Sequence, residues 1–303
     1  MAVVDLKREV LVRHLEAWAP AALHRARRAT YVHGYADAGD GAAAEAALRV
    51  FAEQSDLVRG RELTMLAVGD EIAATAKRLD AVQAGAGAAG LAVHTVDGGT
   101  DARLGVALRA LGAARVPLLG FLDASAATGA PAAATVAALS AGKPAEALLV
   151  LAPGAITDVD GYRAELRTAG FPLVAAVELA TGEAPGELLI FATTQGKSLE
   201  GFKDTLWAVD EYAGVRYRDP GDPERHLIDI TLTPHPGPLK RELLGHLASE
   251  GEATVTELRT FALTETVYRA ADATRVLHTL LIAGSVTRRP DQGRLGGDVV
   301  IGL

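Results

Sequence analysis

The sequence predicts an α/β fold whose mainly parallel sheet ends in an antiparallel hairpin, followed by a small C-terminal domain. Between residues 29 and 168, short apolar runs alternate with helical segments, a pattern typical of a parallel sheet covered on both faces. The next two apolar runs are joined by TGEAPGE, which is too short for a crossover helix and therefore predicts an antiparallel pair. At the end of the chain, three helical segments precede a strand, a Gly/Pro turn and a strand, which predict a winged helix-turn-helix.

Two folded parts and a linker are expected. Residues 5–28 predict an amphipathic helix in front of the sheet, and we assign residues 1–215 to one Rossmann-like domain. Residues 216–238 predict a linker because they contain five prolines, at positions 220, 223, 234, 236 and 238. Residues 239–303 form the winged helix-turn-helix domain, in which eight basic residues balance eight acidic ones.

The composition excludes several classes of function. With 303 residues, 49% of them hydrophobic, the chain can bury a sizeable core. The net charge of −8 gives no general attraction to nucleic acid or to an anionic membrane. The absence of cysteine excludes disulfides, thiolate zinc sites and a cysteine nucleophile, and the histidine spacing predicts no metal site. The start of the chain has no long apolar segment, so we expect a cytoplasmic protein with no membrane partner.

The stretch ATYVHGYADAGDG, residues 29–41, is the first candidate site. A β-leaning run leads into Gly34, Gly39 and Gly41 and then into a helical segment. In a doubly wound sheet a nucleotide-like cofactor lies over the first such turn. Together with the terminal hairpin, this turn resembles the class I methyltransferase architecture, in which S-adenosylmethionine lies over the first βα turn.

Five segments, in their order and spacing, resemble the three-Cys-motif partner (TcmP) family: LKREVLVRHLEAWAP, TYVHGYADAG, FLD, ELLIFATTQGKSLEGFKDTL and TETVYRAADATRVLHTL. The resemblance implies a methyltransferase-like Rossmann domain with an appended winged helix. It also implies a partner, a cysteine-motif protein that resembles radical S-adenosylmethionine enzymes. The cysteines belong to that partner, which agrees with their absence here.

The resemblance places the cofactor-binding positions at His33, Gly34, Tyr35, Ala36, Asp37 and Gly39. The sequence departs from the family pattern there, because His33 stands at an acidic position and Asp37 at a glycine. An acidic residue usually follows the second strand to hold the ribose hydroxyls, but Gly69 falls there, with Asp70 one place on. We expect Asp37 to fill the cofactor's space and to repel its carboxylate, so that S-adenosylmethionine binds poorly and Asp37→Gly improves binding.

Two aspartates each allow a functional and a structural interpretation. Asp70 could hold the ribose, and Asp123, which follows the fourth strand, is the candidate catalytic residue facing the methyl donor. Each is as readily interpreted as a surface or helix-capping residue. Lys197 and Lys203 are expected to face solvent at the start of a helix.

Three hypotheses follow for the function. The first is a TcmP-like binding or partner module with an eroded cofactor motif, acting on nucleic acid. The second is an active S-adenosylmethionine-dependent methyltransferase, and the third is a ligand-responsive DNA-binding regulator. The predicted nucleic-acid contacts are five arginines of the winged helix: Arg269, Arg275, Arg288, Arg289 and Arg294. Because this domain has no net charge, it could instead be a protein-packing module.

Overall fold

The apolar runs form the strands of one sheet in the computed structural model, which describes residues 2–54, 60–86, 90–209, 214–231 and 233–303. The strands are β1 Arg28–Gly34, β2 Glu62–Gly69, β3 Leu91–Asp97, β4 Leu118–Ala124, β5 Ala145–Leu151, β6 Leu173–Ala180, β7 Glu187–Thr193, β8 Arg216–Arg218 and β9 Leu227–Ile228. The helices before and between them are α1 Ala2–Arg25, α2 Ala42–Glu53, α3 Ala73–Ala86, α4 Thr100–Ala110, α5 Ala133–Leu139, α6 Val159–Thr168 and α7 Gly196–Ala208.

The strand order in this sheet is β3-β2-β1-β4-β5-β7-β6-β8-β9. Strands β1 to β5 are parallel, whereas β7 lies antiparallel between β5 and β6, so the predicted antiparallel hairpin is confirmed. The chain therefore has the α/β fold with a large, mostly parallel sheet that the sequence predicts. The segment that the sequence suggested as a linker adds β8 and β9 to the sheet; β8 pairs antiparallel with β6, and β9 pairs antiparallel with β8.

Both faces of the sheet are covered. Alternate residues of β1 separate into two cores, with Tyr31 in the core beneath α1, α2 and α7 and Val32 in the core beneath α4, α5 and α6. This double coverage explains why the central strands are apolar without alternation. None of the helices in the described ranges combines the length and the hydropathy that a bilayer crossing needs.

The C-terminal part contains α8 Gly237–Glu250, β10 Glu252–Thr254, α9 Val255–Glu265, α10 Ala270–Ile282, β11 Thr287–Arg289 and β12 Val300–Gly302. The three strands form an antiparallel sheet in the order β10-β12-β11. Thr254 caps α9 through a reciprocal capping box with Glu257. The assignment of this part as a winged helix-turn-helix stays a prediction.

A buried polar contact joins the C-terminal part to α7. Lys203 is 1% exposed, and its ammonium donates to the carbonyl of Thr266. The indole of Trp207 donates to Val267 O at 3.1 Å, and the Val267 amide donates to Asp219 at 3.0 Å. The expectation that Lys203 faces solvent is therefore wrong, because the C-terminal part packs over the helix face that carries it.

Glu242, on α8 near this contact, gives folding a measurable pH dependence. Burial, with the negative charges of Asp219 and Asp222, raises the pKa of Glu242 from 4.5 to about 8. The folded protein therefore binds more protons than the unfolded chain between these values, and the free energy of unfolding falls as the pH rises from 4.5 to about 8. We expect Glu242→Gln to remove part of this fall, since glutamine does not ionise.

Denaturant unfolding of the two proteins at the ends of this pH window measures the effect. Glu250→Gln, an exposed position on the same helix, is the matched control and should behave as the wild type. An equal fall in stability for the wild type and Glu242→Gln would contradict the expectation.

Candidate cofactor site at the carboxyl edge of the sheet

The first βα loop is held in place from both sides. The Tyr35 amide donates to Thr100 Oγ1 at 2.7 Å, at the start of α4, and Thr75 Oγ1 on α3 donates to Ala36 O at 2.8 Å. At Gly41 φ is +74°, and a Cβ there would lie 2.4 Å from Thr75 Oγ1. The loop is therefore fixed against α3 and α4, and the left-handed backbone conformation at Gly41 favours glycine there.

The backbone conformation at Asp37 does not require glycine. Its φ of −77° and ψ of −19° are ordinary right-handed values for any residue. Its Oδ1 accepts a hydrogen bond from the Asp70 amide at 3.2 Å. A Cβ built on Gly69 would lie only 2.2 Å from that same oxygen. The carboxylate of Asp37 therefore lies over Gly69, in the space where a side chain at position 69 would begin.

The position of the Asp37 carboxylate links two positions at which the sequence departs from the family pattern. The sequence puts a glycine where an acid usually follows the second strand, and an acid where the loop usually has glycine. Because the Asp37 carboxylate fills the space above Gly69, the end of β2 still carries an acid, which is supplied from the loop. Asp70 itself is exposed, and its carboxylate lies next to Gly99 before α4.

His33 is buried and neutral. Its Nδ1 lies 2.8 Å from the Tyr31 hydroxyl, and its ring packs against Phe121 with 5.0 Å between ring centroids. Burial lowers the pKa of His33 from 6.5 to about 4, although the negative charge of Asp123 acts in the opposite direction. At neutral pH an uncharged imidazole therefore stands at the position that carries an acid in the family pattern.

Asp123 is paired with a lysine that the sequence analysis missed. Lys7 Nζ lies 3.1 Å from Asp123 Oδ2 and 2.7 Å from Glu187 Oε2, and it donates to Ser125 Oγ at 3.0 Å. Asp123 is the penultimate residue of β4 and Glu187 begins the antiparallel β7, so their carboxylates meet at the same edge of the sheet. The side chains of Lys7, Asp123 and Glu187 are only 6%, 16% and 22% exposed, and we call these three residues the charged cluster.

The helical spacing of α1 indicates that Lys7 is buried. Positions 7, 11, 14 and 18 lie on one helix face, and the residues at 11, 14 and 18 are buried with Lys7. A lysine on the buried stripe of an amphipathic helix requires an acidic partner.

Tyr35 faces away from this cluster. Its hydroxyl donates to Asp101 at 3.1 Å, and burial and the Asp101 charge raise the pKa of Tyr35 above its ordinary value. Asp101 also accepts from the Ala132 amide at 3.0 Å and from Thr135 Oγ1 at 2.6 Å. Tyr35 therefore fixes the loop to the start of α5.

Two of the arginines predicted to bind nucleic acid make internal contacts. Arg269 Nε donates to Asp272 at 2.8 Å, and its guanidinium lies 6.0 Å from the centre of the Trp207 ring. The guanidinium of Arg288 donates to Gly293 O at 3.0 Å within the turn between β11 and β12. These contacts use the guanidinium groups to hold the C-terminal part together.

The other three arginines, Arg275, Arg289 and Arg294, are exposed, and of these Arg275 also pairs with Asp272 at 3.3 Å and Arg289 with Glu252 at 2.6 Å. If they contact phosphates, Arg289→Ala with Arg294→Ala should weaken duplex DNA binding and reduce its salt dependence, by about 0.9 in slope for each lost contact. Gel shifts at low and moderate salt measure this, with Arg109→Ala on α4 as an exposed control. The absence of a shift at micromolar protein would contradict the nucleic-acid interpretation.

Within the described ranges, one group of side chains has metal-ligand geometry: Asp222, Glu224 and His226 have ligand atoms within 4.8 Å of one another. His226 Nδ1 lies 2.8 Å from Asp222 and its Nε2 lies 3.3 Å from Glu224, so these side chains already satisfy one another. His226 and Glu224 are exposed.

The chain was compared with known proteins. No family model matches it, so the TcmP assignment stays a prediction, and no curated protein matches it. Three solved structures are similar: EvdMO1 (14% identity, 65% of this chain and 44% of that chain, TM-score 0.37), the N-terminal domain of EvdMO1 with SAH bound (14%, 60% and 81%, 0.39), and the pyocyanin biosynthetic protein PhzM (12%, 59% and 55%, 0.30). The chain thus spans less than half of the length of EvdMO1. The strand order of the sheet establishes the α/β fold.

Proposed function

We propose that this chain is an S-adenosylmethionine-dependent methyltransferase whose cofactor lies over the first βα loop. The observation that carries the proposal is the position of the Asp37 carboxylate above Gly69 at the end of β2. It supplies an acid where the fold needs one for ribose hydroxyls. The methyltransferase interpretation is therefore preferred to that of an eroded module, which rested on the same aspartate.

The residues at this edge fit the cofactor. Within the described part of the chain, the Asp37 carboxylate accepts a hydrogen bond from the Asp70 amide on Oδ1, which leaves Oδ2 for a ribose hydroxyl. Glu187 Oε2 is buried and receives no hydrogen bond from the described part of the chain beyond its ion pair with Lys7. A buried carboxylate oxygen with spare acceptor capacity is suited to a donor on a ligand.

The charged cluster lies at the right distance to act on a methyl acceptor. Strands β2 and β4 flank β1, so the ends of β2 and β4 lie about 10 Å apart from strand spacing. When bound, S-adenosylmethionine supplies an electrophilic methyl group. Asp123 would bind the acceptor's hydroxyl or amine and take its proton, and Lys7 would hold Asp123 in position through their ion pair.

Calorimetric titration with S-adenosylhomocysteine tests the proposal. We expect saturable binding with a Kd on the order of 1 to 100 μM, equivalent to about −8 to −5 kcal/mol. Adenosine and methionine, titrated separately, should each bind more weakly, because each makes only part of the contacts. The absence of heat at millimolar ligand would overturn the proposal and return the eroded module as the better interpretation.

A further inference from the structure

A cavity of about 740 Å³ opens at the amino-terminal edge of the parallel strands, on the opposite side of the sheet from the cofactor loop. The second half of α1 forms one wall, and the first turn of α7 forms another. Pro144 and Glu146 contribute from the start of β5, and Arg61 lies just before β2. Its volume is within the range of small-molecule sites.

The floor of this cavity is a buried polar group. Glu146 is 3% exposed, and its Oε1 accepts a hydrogen bond from Ser198 Oγ at 2.7 Å. Its Oε2 lies 3.2 Å from His14 Nε2, and the His14 ring packs edge-on against Phe191 at 5.0 Å. Glu146 is the acidic residue of the lining, and both of its oxygens are already engaged.

The rim of the cavity is basic, with His24, Arg25, Arg61 and Lys197. In the amide orientation that satisfies both groups, Gln195 Oε1 accepts from Arg25 Nη1 at 2.6 Å, which holds Arg25 at the start of α7. Gln195 makes no side-chain cap to α7, so the first amides of this 13-residue helix lie uncapped at the same rim. The helix dipole adds to the positive charge there.

The remaining wall is apolar. Ala17, Pro20 and Ala21 of α1 face the cavity beside Leu23 and Trp18. A ligand that fills this space therefore needs a compact apolar body and an anionic head group. The buried negative charge of Glu146 favours a single negative charge over the double charge of a phosphate.

We propose that this cavity binds a small amphiphilic monocarboxylate, with its head group between Arg25 and the start of α7 and its apolar body along α1. The site lies at the opposite edge of the sheet from the proposed cofactor site. It is therefore independent of the proposed methyltransferase function, and either can fail without the other.

Three probes with the same apolar body separate the contributions: octanoate, octan-1-ol and octylammonium. Calorimetric titration should show saturable binding of octanoate, binding of octanol at least tenfold weaker, and no binding of octylammonium. Equal affinities for octanoate and octanol would overturn the anionic site. An absence of saturable octanoate binding would overturn the whole proposal.

Two variants locate the bound probe. Ala21→Trp fills the cavity from an exposed helix position and should abolish octanoate binding, whereas Arg25→Gln should weaken octanoate about tenfold without changing octanol. Arg49→Gln, an exposed arginine on α2 outside the cavity, is the control. Thermal unfolding of each variant verifies that it folds. A folded Ala21→Trp protein that binds octanoate as the wild type does would overturn the assignment.

Discussion

Replacing Asp37 with glycine is expected to weaken S-adenosylhomocysteine binding about 10- to 100-fold, because a hydrogen bond to a charged group contributes about 1.5 to 3 kcal/mol. The carboxylate lies over Gly69 and is the acid at the end of β2. The eroded-module hypothesis predicts the opposite result, tighter binding, since it treats the side chain as an obstruction. One titration therefore separates the two hypotheses.

The matched control for this variant lies in the same loop. Asp40 is exposed and has a left-handed φ of 56°, a conformation that asparagine also tolerates. Asp40→Asn removes one negative charge from the loop without removing the carboxylate over Gly69, and it should bind the cofactor as the wild type does. A similar loss in Asp40→Asn and Asp37→Gly would mean that general loop charge, and not the ribose contact, sets the affinity.

Moving the acid back to β2 gives a rescue test. Gly69→Asp alone should destabilise the protein, because its Cβ would meet Asp37 Oδ1 at 2.2 Å. Asp37→Gly removes the clash with the carboxylate but leaves the new Cβ 2.9 Å from the backbone nitrogen of residue 37, which a small shift of the loop must relieve. The double variant should therefore be more stable than Gly69→Asp alone and recover part of the cofactor binding that Asp37→Gly alone has lost. The two changes are in contact and should be strongly non-additive. A double variant that folds but binds no better than Asp37→Gly would contradict the exchange of the acid between the two positions.

The strands and the terminal hairpin could be predicted because their signals are local. The run FPLVAAVELA and the short turn after it determine an antiparallel pair whatever the rest of the chain does. The end of α1 was predicted three residues too late, since Arg28 already pairs with Glu62 as the first residue of β1. Such boundary errors reflect competition between helix and strand for the same residues.

The candidate site could be predicted only in part, because its contacts join distant positions. Asp37 and Gly69 were each noticed as departures, but their compensation depends on the packing of two loop ends 32 residues apart. Lys203 shows the same limit, because its burial depends on a C-terminal segment about 60 residues away. For Lys203 the local rule gave the wrong environment, and for Asp37 it could not show the neighbours, since a side chain's neighbours are set by the fold.

The second large effect that we expect is a loss of stability in Lys7→Met, which removes the positive charge of the charged cluster. Methionine retains much of the apolar volume of lysine, so the change removes mainly the positive charge between Asp123 and Glu187. Two partly buried carboxylates then face each other without the cation between them. Breaking such a pair costs about 3 kcal/mol of unfolding free energy, at the low end for buried pairs because Asp123 keeps its hydrogen bonds from the Ser125 amide and hydroxyl. Urea denaturation at neutral pH measures the loss.

Arg8→Met on the same helix is the control for Lys7→Met. Arg8 is 44% exposed and pairs with Asp5 at 2.7 Å, and an exposed pair of this kind contributes less than about 1 kcal/mol. Adding Asp123→Asn to Lys7→Met should recover part of the stability, because it removes one of the two repelling charges. A loss no larger than that of Arg8→Met would mean that the two carboxylates are solvated well enough to do without Lys7.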